Sequence, residues 1–231
     1  QWRRWIHVVA CGGGFGPLVD NVLEQGARKF LTEGIPASYA TSFTYGNWRS
    51  AYCPGPAIFS ETTVDRLNDG CLFWLYIGHG HHRTVDTIHI PGRKPYHVLS
   101  CGDVPKLAAR SGAPIACFLA CYTGAFDGPG DCLAEEMLKT PGGPVAVIAG
   151  SRVTMPYAMT VMGIEMMREC FVEKRTTTGE LMLHAKRSMM LRPRTDSASR
   201  AMDWLAKSLN SLSPDLKAER AEHLLLFNRS E

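Results

Sequence analysis

The chain has 231 residues, 45% of them hydrophobic and 20% charged, the balance of an ordinary folded protein with room for one substantial core. Its 25 basic and 22 acidic residues leave a net charge of +3, and no basic run interleaved with aromatics points to nucleic acid. The apolar stretches are too short for a membrane span, so the expected architecture is one domain over residues 1–231 with no membrane partner.

In chain order, Trp2-Arg3-Arg4-Trp5 leads directly into the strand-like Ile6–Cys11, without the pattern of a signal peptide. The start at Gln1 rather than Met fits a domain excised from a longer chain with flanking domains. Gly12-Gly13-Gly14-Phe15-Gly16 then makes a tight turn. It lacks the spacing of a dinucleotide-binding loop, because Pro17 stands where the last glycine belongs. An amphipathic helix is expected over 18–31 and a second strand over 37–44, with a helix remnant at 64–67 before the strong strand 71–77. The polar stretch 87–98, with Pro91-Gly92 at its middle, reads as a small hairpin.

Further along, Asp103 is placed to cap a short helix to Ala109, with Pro105 in its first turn. Residues 114–120 form a strand, Asp131 opens a helix to Lys139, and 144–150 form the next strand. Helices follow at about 157–173, 179–190, 199–210 and 214–226, and the chain closes on Leu224-Leu225-Leu226-Phe227, as if a final edge element were missing. Strands alternating with helices predict an α/β fold: a three-layer α/β/α sandwich on a mostly parallel sheet, with a helical C-terminal third.

Two segments carry chemistry. Tyr76-Ile77-Gly78-His79-Gly80 ends one apolar run, and Leu119-Ala120-Cys121-Tyr122-Thr123-Gly124 ends another. If the two strands are parallel neighbours, a base and a nucleophile emerge together at the carboxyl edge of the sheet, where open α/β folds place their sites. Cysteine attacks a carbonyl only as thiolate, and His79 is the group to activate it and then protonate the leaving amine. The other cysteines read as core: Cys117 lies deeper on the strand of Cys121, Cys132 at a helix start and Cys11 at the end of the first strand. This free-thiol pattern points to a reducing, cytoplasmic compartment.

His-Gly after one hydrophobic strand and Ala-Cys after the next resemble the caspase-like cysteine peptidases of clan CD, most closely the gingipain family, with the CHAT-domain proteases as the nearest alternative. Leu119 stands where caspases carry Gln before Ala-Cys. Cys121 through Cys132–Leu138, Phe126-Asp127 and Val145–Ser151 are similar to the gingipain nucleophile turn, loop and next strand. The resemblance implies a caspase-like fold and a cysteine endopeptidase acting on polypeptides through a Cys121–His79 dyad. It also implies an oxyanion hole from the N–H groups of Gly80 and Cys121, no required cofactor, and room for a structural calcium. Substrate contacts are expected at Tyr157, Ser151 and Thr154, with Asp86, Asp127 or Asp131 as a floor for a basic residue. Arg152 would instead favour an acidic one. Two alternatives stand beside this reading: a metal-dependent hydrolase using His79, His81 and Asp86, and a catalytically idle interaction module.

Overall fold

The computed structural model describes residues 2–11, 34–193, 195, 200, 203–204 and 215–230. They fall into two compact units, one of residues 1–153 with 228–231 and one of residues 154–227. The glycine run after the first strand and the helices expected at 18–31 and at 199–210 lie largely outside the described residues.

The first unit is built on a six-stranded sheet. Its strands are β1 (Trp5–Ala10), β2 (Ala40–Tyr45), β3 (Phe73–Ile77), β6 (Ile115–Leu119), β7 (Ala146–Gly150) and β8 (Phe227–Ser230). They lie in the order β2-β1-β3-β6-β7-β8, and the first four pairings are parallel. The fold is therefore mixed α/β with a mostly parallel sheet, as expected. The final edge element expected to be missing is present as β8.

Alternation along the strands buries both faces, which is what a parallel sheet between two covering layers requires. On one face Val9, Trp74, Tyr76, Ala116, Phe118, Val147 and Ala149 join a core covered by helices α1 (Phe59–Asp69) and α2 (Leu133–Lys139). Trp74 and Tyr76 stack at 6.4 Å, and Phe118 packs against both at 5.3 and 6.1 Å. Each such ring contributes on the order of 1.5–3 kcal/mol by leaving water. On the other face Val8, Leu75, Cys117 and Ile148 are equally buried.

Several elements depart from the sequence reading. The helix remnant at 64–67 is the last part of the longer α1, whose buried face is Phe59, Thr63, Val64 and Leu67. Thr63 fits that face because its hydroxyl donates to Phe59 O. The expected helix at 103–109 shrinks to a 3-10 turn, Val104–Lys106. Asp103 holds the N-cap position but makes no side-chain cap bond; its carboxylate accepts from Ser100, Lys106 and the His97 ring instead. Asp131 likewise does not cap α2: it pairs with Lys139 at 2.6 Å, while Cys132 takes the cap position and its N–H donates to Glu135. The hairpin expected at 87–98 is present as β4 (Thr87–Ile88) and β5 (Tyr96–His97), with Gly92 in the turn at φ 73°.

The second unit is helical, with α3 (Pro156–Phe171), α4 (Thr178–Leu191) and α5 (Leu216–Leu226) close to their expected positions. Buried polar groups tie it together. Glu219 accepts from Ala158 N–H, His223 Nε2 accepts from Met155 N–H, and Glu169 bonds Ser188 and Arg175.

His7, on β1, is buried with its Nδ1 2.5 Å from Ser42 Oγ. Burial, with a smaller push from Arg66, lowers its pKa to about 4. The unfolded chain protonates this ring below about pH 6.5, whereas the native one resists until about 4, so native stability is lost as pH falls through that window. The loss should be on the order of 3 kcal/mol. Urea unfolding at pH 7 and pH 4.5 should show it in the parent and a clearly smaller loss in His7→Gln; parallel losses would contradict it.

Candidate active site

The pairing of β3 with β6 sets the geometry. Ile77 lies opposite Leu119, so His79 and Cys121, each two residues further on, leave the sheet at matching positions of neighbouring parallel strands. Gly78 N–H donates to Leu119 O at 3.3 Å and carries the pairing one step past the strands. His79 is exposed and Cys121 half-buried.

Gly80 brings the two loops into contact. A Cβ there would collide with the Cys121 carbonyl oxygen and meet Ala120 Cβ at 2.8 Å and Thr123 Cγ2 at 2.9 Å. Gly80 also bridges Val85, but the bridge is carried by its neighbour, His81 N–H donating to Thr84 O at 2.8 Å. In such a pair the amide of the bridged residue points outward, so the Gly80 N–H faces away from Val85. Further bonds join the histidine loop to the loop after the cysteine. His82 Nε2 lies 3.2 Å from Ala125 O, Leu133 N–H donates to His82 O, and Arg83 donates to Asp131 O and to Glu136.

The cysteine turn is held from its other side. Tyr122 adopts φ 55°, a left-handed conformation that costs a non-glycine residue roughly 1–2 kcal/mol. Its N–H donates to Arg152 O and the Gly124 N–H to Gly150 O, so the loop after β7 keeps the turn in that shape. The Arg152 guanidinium bonds Asp127 through two N–H···O contacts of 3.0 and 2.6 Å, and this pair holds the Asp127 carboxyl below its ordinary range.

The remaining thiols are all held more firmly in their protonated form. Burial pushes Cys71 and Cys117 up to about 12 and Cys132 and Cys170 to about 11, and it also raises Cys11, Cys53 and Cys101. Cys117 is 1% exposed, as its place on the strand predicts.

Of the expected substrate contacts, Ser151 is buried directly after β7, and its carbonyl accepts from Arg152. Thr154 and Tyr157 belong to the helical unit. Thr154 donates to Met159 Sδ, and the Tyr157 hydroxyl donates to Asp203 and accepts from Arg220. Asp86 is half-buried, and its carboxylate accepts from the backbone N–H groups of His79 and Thr87. Among the described residues no group of three or more His, Cys, Asp or Glu side chains is disposed to hold a metal ion, His79, His81 and Asp86 included. No described helix is long and apolar enough to cross a membrane. A cavity of about 370 Å³ lies at the opposite, amino edge of the sheet, lined by Trp2, Trp5, His7, Arg66 and Asp69, away from both His79 and Cys121.

Sequence reasoning missed three contributors: the Tyr76 hydroxyl, the Arg152–Asp127 pair and the left-handed Tyr122. Only Tyr76 left a signal, as a polar-tipped residue in an otherwise apolar strand three positions before His79.

A sequence profile of peptidase family C25 matches residues 1–213. The chain belongs to that family, the gingipain family of clan CD. The crystal structure of the Arg-specific cysteine proteinase gingipain R superposes with a TM-score of 0.60 at 20% identity, covering 87% of this chain and 45% of that one. The complex of Porphyromonas gingivalis RgpB pro- and mature domains gives 0.57 at 18%, covering 87% and 46%. A structure described as a protease gives 0.66 at 12%, covering 99% and 47%. These likenesses are of fold, and the chain spans less than half the length of each. A search of curated proteins returns no match.

The contact at Gly80 gives a direct test. Gly80→Ala must push the histidine loop off the Cys121 turn and is expected to destabilise the protein by about 1–3 kcal/mol. Gly130→Ala, where an added methyl meets nothing within 4 Å, should leave the melting temperature unchanged. Equal melting temperatures for the two variants would show that the loops are not in contact.

Proposed function

We propose that this chain carries the Cys121–His79 dyad of a cysteine endopeptidase. The observation that carries the reading is the register of β3 and β6, which delivers both side chains to one sheet edge, with Gly80 packed on the Cys121 carbonyl. Membership of family C25 supports the same chemistry. The Cys121 thiolate attacks the scissile carbonyl carbon. The N–H groups of Gly80 and Cys121 receive the developing oxyanion, where such donors act most strongly. His79, having taken the thiol proton, gives it to the leaving amine, and water then hydrolyses the thioester with His79 as base. This chemistry needs no cofactor.

The substrate is a polypeptide. Ser151, Thr154 and Tyr157 remain candidates for contact with it, and Asp127 is the acid best placed to attract a basic side chain. Gingipain R is described as Arg-specific. In this chain a basic residue must compete with the Arg152 guanidinium, which already occupies both Asp127 oxygens. We further propose that the domain works within a longer polypeptide. Its coverage of under half of each gingipain structure and the RgpB pro-domain complex support this.

Cys121→Ala should lower kcat by about 10⁴-fold or more while leaving the melting temperature nearly unchanged. A peptide-like electrophile should label Cys121 ahead of Cys117, Cys71 and Cys11, and activity should need a reductant and survive a transition-metal chelator. Full activity in Cys121→Ala, or loss on chelation that added zinc restores, would remove the dyad.

Arg152→Ala should release Asp127. The expected change is a rise of roughly three- to fivefold in kcat/KM for Arg-containing over Leu-containing peptides, about the worth of an exposed ion pair. An unchanged ratio would take Asp127 out of the specificity site.

A further inference from the structure

His79 sits between two glycines, Gly78 and Gly80. A base in such a setting has the most freely rotating backbone a chain offers, so something outside the turn has to fix it. Both of its main-chain polar groups are held by side chains. The Tyr76 hydroxyl donates to His79 O at 2.9 Å, and Asp86 Oδ2 accepts from His79 N–H at 3.4 Å. The two holders are joined to each other, since Asp86 N–H donates to the Tyr76 hydroxyl at 3.2 Å. The result is a closed ring of hydrogen bonds through Tyr76, His79 and Asp86.

Each holder is anchored in rigid structure. Tyr76 is 0% exposed, and its ring lies within the Trp74–Phe118 stack. Gly78 is what lets its hydroxyl fold back under the turn, because a Cβ at 78 would stand 2.7 Å from that oxygen and 2.5 Å from Cys11 O. Asp86 starts the β4–β5 hairpin: its second oxygen accepts from Thr87 N–H, and its carbonyl accepts from Val98 N–H. Burial raises the Asp86 pKa above the ordinary carboxylate range, and the nearby His79 and His89 pull it back. The side chain is thus close enough to respond to the charge of the histidine whose backbone it holds.

We propose that Asp86 and Tyr76 are positioning residues for the base His79: they fix its backbone so that the imidazole stays aligned with Cys121 through the proton transfers. The proposal rests on the dyad reading and adds to it two residues that act through His79.

Alignment acts on the chemical step, so the loss should appear in kcat and not in KM. Tyr76→Phe removes the hydroxyl while keeping the ring, and Asp86→Ala removes the acceptor. Each is expected to lower kcat, per molecule of folded protein, by about 10- to 100-fold with KM within about twofold. Asp86→Asn keeps one acceptor oxygen, which can serve the His79 N–H at the expense of the bond from Thr87 N–H, and should recover part of the loss seen in Asp86→Ala. A purely structural role would lower the melting temperature and the folded fraction but not kcat per folded molecule, and that result would overturn the proposal. A rise in KM at unchanged kcat would also overturn it, making Asp86 a substrate contact. Should Asp86→Ala fail to fold, Tyr76→Phe decides by the same kcat and KM readouts. Cys121→Ala separates the two levels of the argument. If it is inactive while Tyr76→Phe and Asp86→Ala keep full kcat, only the positioning role fails. If it is fully active, the dyad itself fails.

Discussion

Everything at the candidate site depends on one register, Ile77 opposite Leu119 in the parallel pair β3–β6. A strand has a side-chain period of two, so a slip of one residue would carry Phe118 away from Trp74 and Tyr76 to the other face of the sheet. The aromatic stack therefore fixes the register, and the register fixes which residues meet beyond the strands. Packing energy in the core becomes positional accuracy at the edge: the rings that exclude water are the same ones that set His79 level with Cys121.

Beyond the strand ends, accuracy passes from the ladder to individual contacts. Gly80 against the Cys121 carbonyl, His82 against Ala125 and Tyr122 against Arg152 replace the regular hydrogen bonds, the last of which runs from Gly78 to Leu119. These contacts tolerate a left-handed Tyr122 because the loop after β7 holds it on one side and the histidine loop packs against the turn on the other. A strained residue persists where its surroundings over-determine it.

The strands, and the placing of His79 and Cys121 just past the ends of two neighbouring ones, were legible in the sequence because each is a short apolar run broken by a glycine turn, a local signal. The helices that were misjudged show where local signals stop. The span of α1 was hidden because a threonine lies on its buried face, satisfied by a bond within its own helix. The turn at Val104–Lys106 looked like a longer helix because Asp103 and Pro105 form a good start. Asp103 instead spends its carboxylate on Ser100, His97 and Lys106, and Ala108 N–H pairs with Asn68. Asp131 lost the cap of α2 to its neighbour in the same way, to a lysine eight residues on. Asp86 was noticed as an acid near the site, but its partners depend on a hairpin folding back beneath His79, and spacing alone does not reveal that.

The burial of the other thiols has a consequence for how such a protein ages. A thiol near pKa 12, as at Cys71 and Cys117, is thiolate in only about one molecule in 10⁵ at neutral pH. Oxidation and disulfide exchange both begin from the thiolate, so these sulfurs enter neither reaction at an appreciable rate. If Cys121 is the reactive sulfur, Cys71 and Cys117 can thus lie in the same sheet core without giving it partners to scramble with. The core that holds the sheet in register also keeps the chemistry of sulfur confined to the sheet's edge.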